Sequence, residues 1–195
     1  MALVARARAM IVAPAPEWPL VALERTPLGL LFSSYIVPLA ALPAVCSLIS
    51  GIAFFHRGIL FGAVFAVMNF VLALVGVAVI ALIAEALAPS FDGVKDREQA
   101  FKWIGYAYTP SWVAGIALLV PILGALVVLV AGFYSLYVLY LGAQPMMRVP
   151  SHKTIGYTAV VIVIAIVVYA AVAGITALVV GALAAGAIAA GGGIH

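Results

Sequence analysis

The chain has 195 residues, 68% of them hydrophobic and 8% charged, with a mean hydropathy of +1.33 and a net charge of +3. Soluble domains carry roughly a quarter charged residues, so these figures exclude a water-soluble globule and define an integral membrane protein. The nine Lys and Arg are scattered, which excludes a nucleic-acid footprint and makes them topology signals instead.

Taken in order, Arg6 and Arg8 precede a brief apolar run, Met10–Ala13. A signal peptide needs a longer run of about 7–15 residues, so a retained cytoplasmic or interfacial leader is expected over residues 1–27. Glu17, Trp18, Glu24 and Arg25 mark the membrane boundary, with Trp18 suited to the headgroups.

Thr26–Phe55 is uncharged and long enough for a first span, placed at 28–54. Pro38 and Pro43 predict a kink within it, and Ser33 and Ser34 are expected to bond their own helix. His56 and Arg57 form a short loop, followed by a second span at 59–88. There Gly58 and Gly62 form a G-x-x-x-G that admits a close neighbour. Asn69 sits near mid-span and is expected to face another helix. Glu85, at the far end, is close enough to the headgroups to snorkel, which weakens its claim as an intramembrane functional acid. The stretch Pro89–Lys102 balances three acids and three bases and is expected to be a solvated loop re-entering the interface at Phe101–Trp103.

The next stretch, Trp103–Met147, has 45 residues without a charge. A hydrocarbon core ~30 Å thick needs about 20 helical residues, so this length suits two crossings, with a re-entrant hairpin as the alternative that leaves the flanking charges on the same sides. Pro121 supplies the break. Spans three and four are placed at 106–120 and 122–142. Tyr134, Tyr137 and Tyr140 form a stripe on one face of span four, expected to pack against a neighbour. The two cytoplasmic ends of this hairpin carry Tyr106, Tyr108, Thr109 and Pro110 on one side and Tyr140 and Gln144 on the other, expected to satisfy one another. A basic loop, Gln144–Lys153, leads to span five at 157–183, and residues 184–195 read as a flexible tail.

The expected fold is an all-α bundle of five transmembrane helices forming one membrane domain, 28–183. With five spans, Arg6, Arg8, Arg25, Lys95, Arg97, Lys102, Arg148 and Lys153 share one side and Arg57 alone takes the other. That bias places the N-terminus in the cytoplasm and the C-terminus outside.

Chemistry is sparse. Cys46 is the one cysteine, and His56, His152 and His195 lack ligand spacing. No phosphate loop, H-E-x-x-H or nucleophile elbow is present. Neither an enzyme nor a bound cofactor or metal is expected.

The runs GYAYTPSWVAGIALLVPILG and GFYSLYVLYLGAQPMMRVPSHKTIGY, with EWPLVALERTP and YIVPLAALPAVCSLISG upstream, resemble the Yip family of five-span membrane proteins, in its bacterial branch. The most specific segments are Ile104–Pro110 and Leu136–Pro150. They make Gly105, Tyr106, Tyr108, Thr109, Pro110, Tyr137, Tyr140, Gly142 and Pro145 the candidate motif and packing residues. Asn69 and Glu85 are the candidate intramembrane polar residues. Eukaryotic members are associated with Rab-type small GTPases; their D-L-Y-G-P signature is replaced here by YIVPL, which counts against GTPase binding.

The resemblance implies residence in the membrane, expected to be the bacterial inner membrane, and no settled activity. Together with the small-residue helix faces and the absence of catalytic groups, it leads to the expectation of a non-enzymatic scaffold, assembly or trafficking-like role. The expected partners are the lipid bilayer and a membrane protein or a second copy of the chain, with no nucleic acid. The alternative is a small transporter or channel with a polar path lined by spans one to four.

Overall fold

A computed structural model of the protein describes residues 3–55 and 58–191, and every regular element among them is a helix. The leader folds as two ten-residue helices, α1 (Leu3–Val12) and α2 (Pro14–Leu23). The first span comprises α3 (Leu28–Leu31), a π turn (Phe32–Ile36) and α4 (Val37–Phe55). Pro38 has no N–H to give the carbonyl of Ser34, and the backbone accommodates the loss with the wider π turn just ahead of it. Ser33 and Ser34 each donate to Leu30 O, as expected of short hydroxyl side chains.

The helix α5 (Ile59–Leu87) follows; the expected His56–Arg57 loop lies outside the described residues. Of the G-x-x-x-G pair, only Gly62 meets a neighbour, with a Cβ there 2.9 Å from Leu48 Cδ1 of α4. Four helices among the described residues are long and apolar enough to cross a membrane: Leu28–Phe54, Ile59–Phe91, Ile122–Met147 and Ser151–Ala182.

The stretch expected as span three is not one helix. It consists of α6 (Arg97–Ala107), α7 (Thr109–Ala114) and a 3-10 segment (Gly115–Leu119), each too short to cross alone. Pro110 interrupts the hydrogen-bond ladder between the first two pieces. Gly115 lets the third press onto Pro43, where a Cβ would lie 2.6 Å from Pro43 Cγ. Val120 is extended and Pro121 opens α8 (Pro121–Met147), so the break falls where the proline predicts it. The turn is tight: a Cβ at Gly124 would lie 2.1 Å from Ala117 O, so only glycine fits.

Residues 103–119 run antiparallel along α8. Trp103 lies against Gly142, Ser111 bonds Ser135, and Ala117 touches Gly124. The final helix, α9 (Ser151–Gly191), packs on α5 and α8 and continues past Leu183 into the expected flexible tail. The last four residues of that tail lie outside the described part.

The expectation of a solvated loop over Pro89–Lys102 is corrected from Arg97 onward. Asp96 caps α6 by accepting from Gln99 N at 3.1 Å, and the residues from Ala100 to Ala107 are all buried. The short α6 is the centre of the molecule. Its own Trp103 and Ile104 are fully enclosed, as are Trp18, Val21, Leu31, Ile36, Met147 and Tyr157 around it. The core therefore gathers at the Met147 end of the bundle. The outer faces of α8 and α9 remain apolar and exposed, as lipid-facing helices require.

Candidate functional site

The buried polar groups form two layers at the Met147 end. The upper layer is an ion cap. Arg6, 3% exposed, pairs with both Glu17 and Glu24, and its guanidinium sits 5.8 Å from the centre of the Tyr106 ring. Lys102 is completely enclosed; its ammonium donates to Glu24 O at 2.6 Å and Val21 O at 3.4 Å. Those carbonyls belong to the C-terminal end of α2, where unpaired oxygens and the helix dipole favour a cation. Burial pushes the Lys102 pKa below its ordinary value, and Glu98, 3.6 Å away, opposes that shift. Glu98 also accepts from Thr26 N at 2.8 Å, and Gln99 donates to Ala22 O at 2.9 Å. The start of α6 thus clamps the end of α2 and the entry to the first span.

The lower layer is made of hydroxyls and begins at Pro110. Its missing N–H leaves Tyr106 O without a helical donor, and Thr109 Oγ1 fills that place at 2.7 Å. Because Thr109 spends its proton there, Tyr35 donates to Thr109 Oγ1, at 2.8 Å. The Tyr35 and Tyr106 rings meet edge-on at 4.5 Å. Two residues after Thr109, Ser111 pairs with Ser135 at 2.8 Å, and Ser135 Oγ accepts the Ser111 N–H at 3.3 Å. Beyond them lies a cavity of about 520 Å³ lined by Pro43, Tyr108, Ser111, Trp112, Ser135 and Tyr169, among others. Tyr108 packs on Trp112 and edge-on against Tyr169.

The expected pairing of Tyr106, Tyr108, Thr109 and Pro110 with Tyr140 and Gln144 is not what the structure contains. Tyr140 and Gln144 are exposed, and the motif of span three meets Tyr35, Tyr169 and Ser135 instead. The reason is that α6 and α7 are distinct pieces with different facing residues, so one helical register does not carry through. The tyrosine stripe also divides. Tyr134 donates to Ile11 O at 2.7 Å and packs, whereas Tyr137 and Tyr140 lie exposed along α8.

Gly142 accounts for its place in the motif. The indoles of Trp18 and Trp103 donate to Val138 O at 3.1 Å and Leu139 O at 2.8 Å and close over Gly142. A Cβ there would come within 2.6 Å of both rings. Gly105 is buried against Ile36, and Pro145 lies in the last turns of α8. Asn69 donates to Phe65 O of its own helix at 2.8 Å rather than to a neighbour. Glu85 does not snorkel: it is buried and takes a 3.0 Å bond from Arg97.

Sequence reasoning missed Arg6, Glu17, Trp18, Glu24 and Lys102 as members of one cluster. Trp18 is wholly enclosed rather than in the headgroups. The signal was the helical spacing of Ala7, Met10, Pro14, Trp18 and Val21, all buried on one face of the two leader helices.

Long apolar helices and lipid-suited outer faces define a multi-pass helical membrane protein. The Yip1 domain matches residues 8–173, and the chain belongs to that family. It is 26% identical over 148 residues to the Inner membrane protein YohC of Escherichia coli K12, covering 70% of this chain and 76% of that protein; the YohC of Escherichia coli O6:H1 matches equally. No solved structure matches.

Proposed function

We propose that this protein is a non-enzymatic scaffold or assembly factor of the bacterial inner membrane, acting through helix packing and cytoplasmic loops. The observation that carries this reading is the fixed pairing of four membrane-depth polar side chains, although the hydroxyls of Thr158 and Thr176 in α9 have no partner. Tyr35 and Tyr157 donate to Thr109 Oγ1 and Ala84 O on other helices, while Asn69 and Thr109 donate to the carbonyls of Phe65 and Tyr106 in their own segments. A conducting path needs polar groups lining an open channel; here the ion cap and the Trp18–Trp103 pair close the Met147 end. The homologous relative's inner-membrane location supports the same compartment.

The chain crosses five times, with its N-terminus inside and its C-terminus outside. The third pass is the broken segment: it follows α8 from the level of Gly142 to that of Gly124, ~27 Å of helix axis, close to the ~30 Å of a hydrocarbon core. The eight-to-one distribution of Lys and Arg sets the direction. A reporter active only in the periplasm should be silent when fused at Phe91 and active when fused at Gly191; activity at Phe91 refutes this topology. The partners that fit are the bilayer and a second membrane protein or copy of this chain.

The transporter reading draws on the 520 Å³ cavity and its hydroxyls. Purification in mild detergent followed by native mass spectrometry separates the two. A complex of constant stoichiometry is expected. Partner-free monomer, together with solute flux in reconstituted vesicles, overturns the scaffold.

A further inference from the structure

We propose that α1 and α2 form a re-entrant hairpin that enters from the Met147 side and reaches about the middle of the bilayer, with its outer face against acyl chains. The inference needs α8 to cross the bilayer and is independent of what the protein does. The two helices have ten residues each, ~15 Å of axis, which is half of a ~30 Å core. Their contacts on α8 give the depth directly. Trp18 bonds Val138 O and covers Gly142, while Ile11, next to the turn, receives the Tyr134 hydroxyl. Tyr134 lies ~20 Å of helix from Met147. The turn between the two helices is therefore the deepest point, and residues Leu3 and Leu23 are the shallow ends.

The turn is built for hydrocarbon. No charge occurs from Ala9 to Pro16. Backbone groups at membrane depth have no water to bond, so they must be satisfied or absent. Three of the four N–H groups that a helix start leaves unpaired are accounted for, since Ala13 gives its own to Ala9 O at 2.9 Å and Pro14 and Pro16 have none, which leaves that of Ala15. The Ile11 carbonyl, loose at the end of α1, takes the Tyr134 hydroxyl at 2.7 Å.

Charge placement agrees. Arg6 and Glu17 point inward and neutralise one another within the protein. Arg8 is the charge on the outer side. Helical side chains lean toward the N-terminus, which in α1 is the membrane surface, so Arg8 reaches back to the headgroups. The remaining outer face is Val4, Val12, Leu20 and Leu23, from 51% to 83% exposed. Water would leave that face uncovered; acyl chains at the depth set by Val138 and Tyr134 cover it.

The test uses the full chain in phospholipid vesicles on a Cys46→Ser background, with a bimane probe at Val12→Cys, Leu23→Cys or Arg25→Cys. Position 12 is exposed, so the label leaves the core packing intact, which an unchanged melting temperature verifies. Lipids brominated at mid-chain should quench the probe at 12 more strongly than headgroup-labelled lipids do, with the order reversed at 23. Aqueous iodide should quench at 25 and not at 12. Iodide quenching at 12 equal to that at 25 overturns the proposal, because the leader then lies in water. A probe at 12 insensitive to all three quenchers overturns it as well, because that face is then covered by protein.

Discussion

Gly142→Ala adds one methyl group at the most crowded backbone position of α8. The new Cβ would lie 2.6 Å from Trp103 Cδ1 and 2.6 Å from Trp18 Cε2. Neither ring is free to retreat, since each indole is tied by its N–H to a carbonyl of α8 itself, at Val138 and Leu139. Overpacking of this kind costs about 1–3 kcal/mol. Losing one indole hydrogen bond adds about 0.5–1.5 kcal/mol. Replacing glycine by alanine in a helix returns about 1 kcal/mol. The net loss is about 2 kcal/mol, which for a chain of this size lowers the melting temperature by about 4–8 °C. The assay is thermal unfolding in mild detergent, followed by loss of the monodisperse peak on gel filtration. Gly132→Ala is the control, because it lies in the same helix with nothing within 4 Å of its Cβ. It should melt at or slightly above the parent. Gly142→Ala melting alongside Gly132→Ala would refute the clamp.

Tyr106 is held by its ring, edge-on to Tyr35 and beneath Arg6. Tyr106→Phe should therefore leave the melting temperature nearly unchanged, whereas Tyr106→Ala should cost about 3–5 kcal/mol; loss of function in Tyr106→Phe at unchanged stability would instead give the hydroxyl a chemical role. Burial holds Lys102 below its ordinary pKa of 10.5, so between the lowered value and 10.5 the unfolded chain binds the extra proton. Its contribution to stability is fully present above pH 10.5 and is lost as pH falls through the lowered value. Lys102→Met should flatten that rise in a melting-temperature profile against pH, and parallel profiles for parent and variant would contradict a depressed Lys102.

Hydrophobic length was the most readable feature of this chain. The first span was expected at 28–54, and a helical stretch long and apolar enough to cross runs over Leu28–Phe54, because thirty uncharged residues allow little else. Pro121 was readable for the same kind of reason: a proline N–H cannot exist in any environment. The third segment was not readable from length. It has the hydropathy of a span, but Pro110 and Gly115 divide it into pieces whose stability comes from Tyr35, Pro43 and Ser135 on other elements. Tertiary partners decided its form, and no local pattern announces them. The motif glycine shows the same division. Gly142 stood out as part of a recognisable segment, yet its physical reason is two indoles, one from 39 residues upstream and one from the leader.

The charges were the least readable part, because a cation near a membrane boundary has two uses that look alike in sequence. It can sit in the headgroups and set orientation, or it can be drawn inside to satisfy an acid or a helix end. Arg6 and Lys102 take the second use: both are enclosed, one between Glu17 and Glu24, the other against the carbonyls of α2. Arg8, Arg25, Lys95, Arg97 and Arg148 are exposed and Lys153 is half-exposed, pairing with Asp92 at 2.5 Å. Removing the two enclosed cations from the positive-inside count leaves six against Arg57, so the proposed orientation stands on the exposed residues alone. The enclosed pair has a different consequence. Breaking such a buried ion pair costs about 3–5 kcal/mol, far more than an exposed one, so Arg6 locks α1 to the end of α2 within the leader, while Lys102 ties that same end to α6.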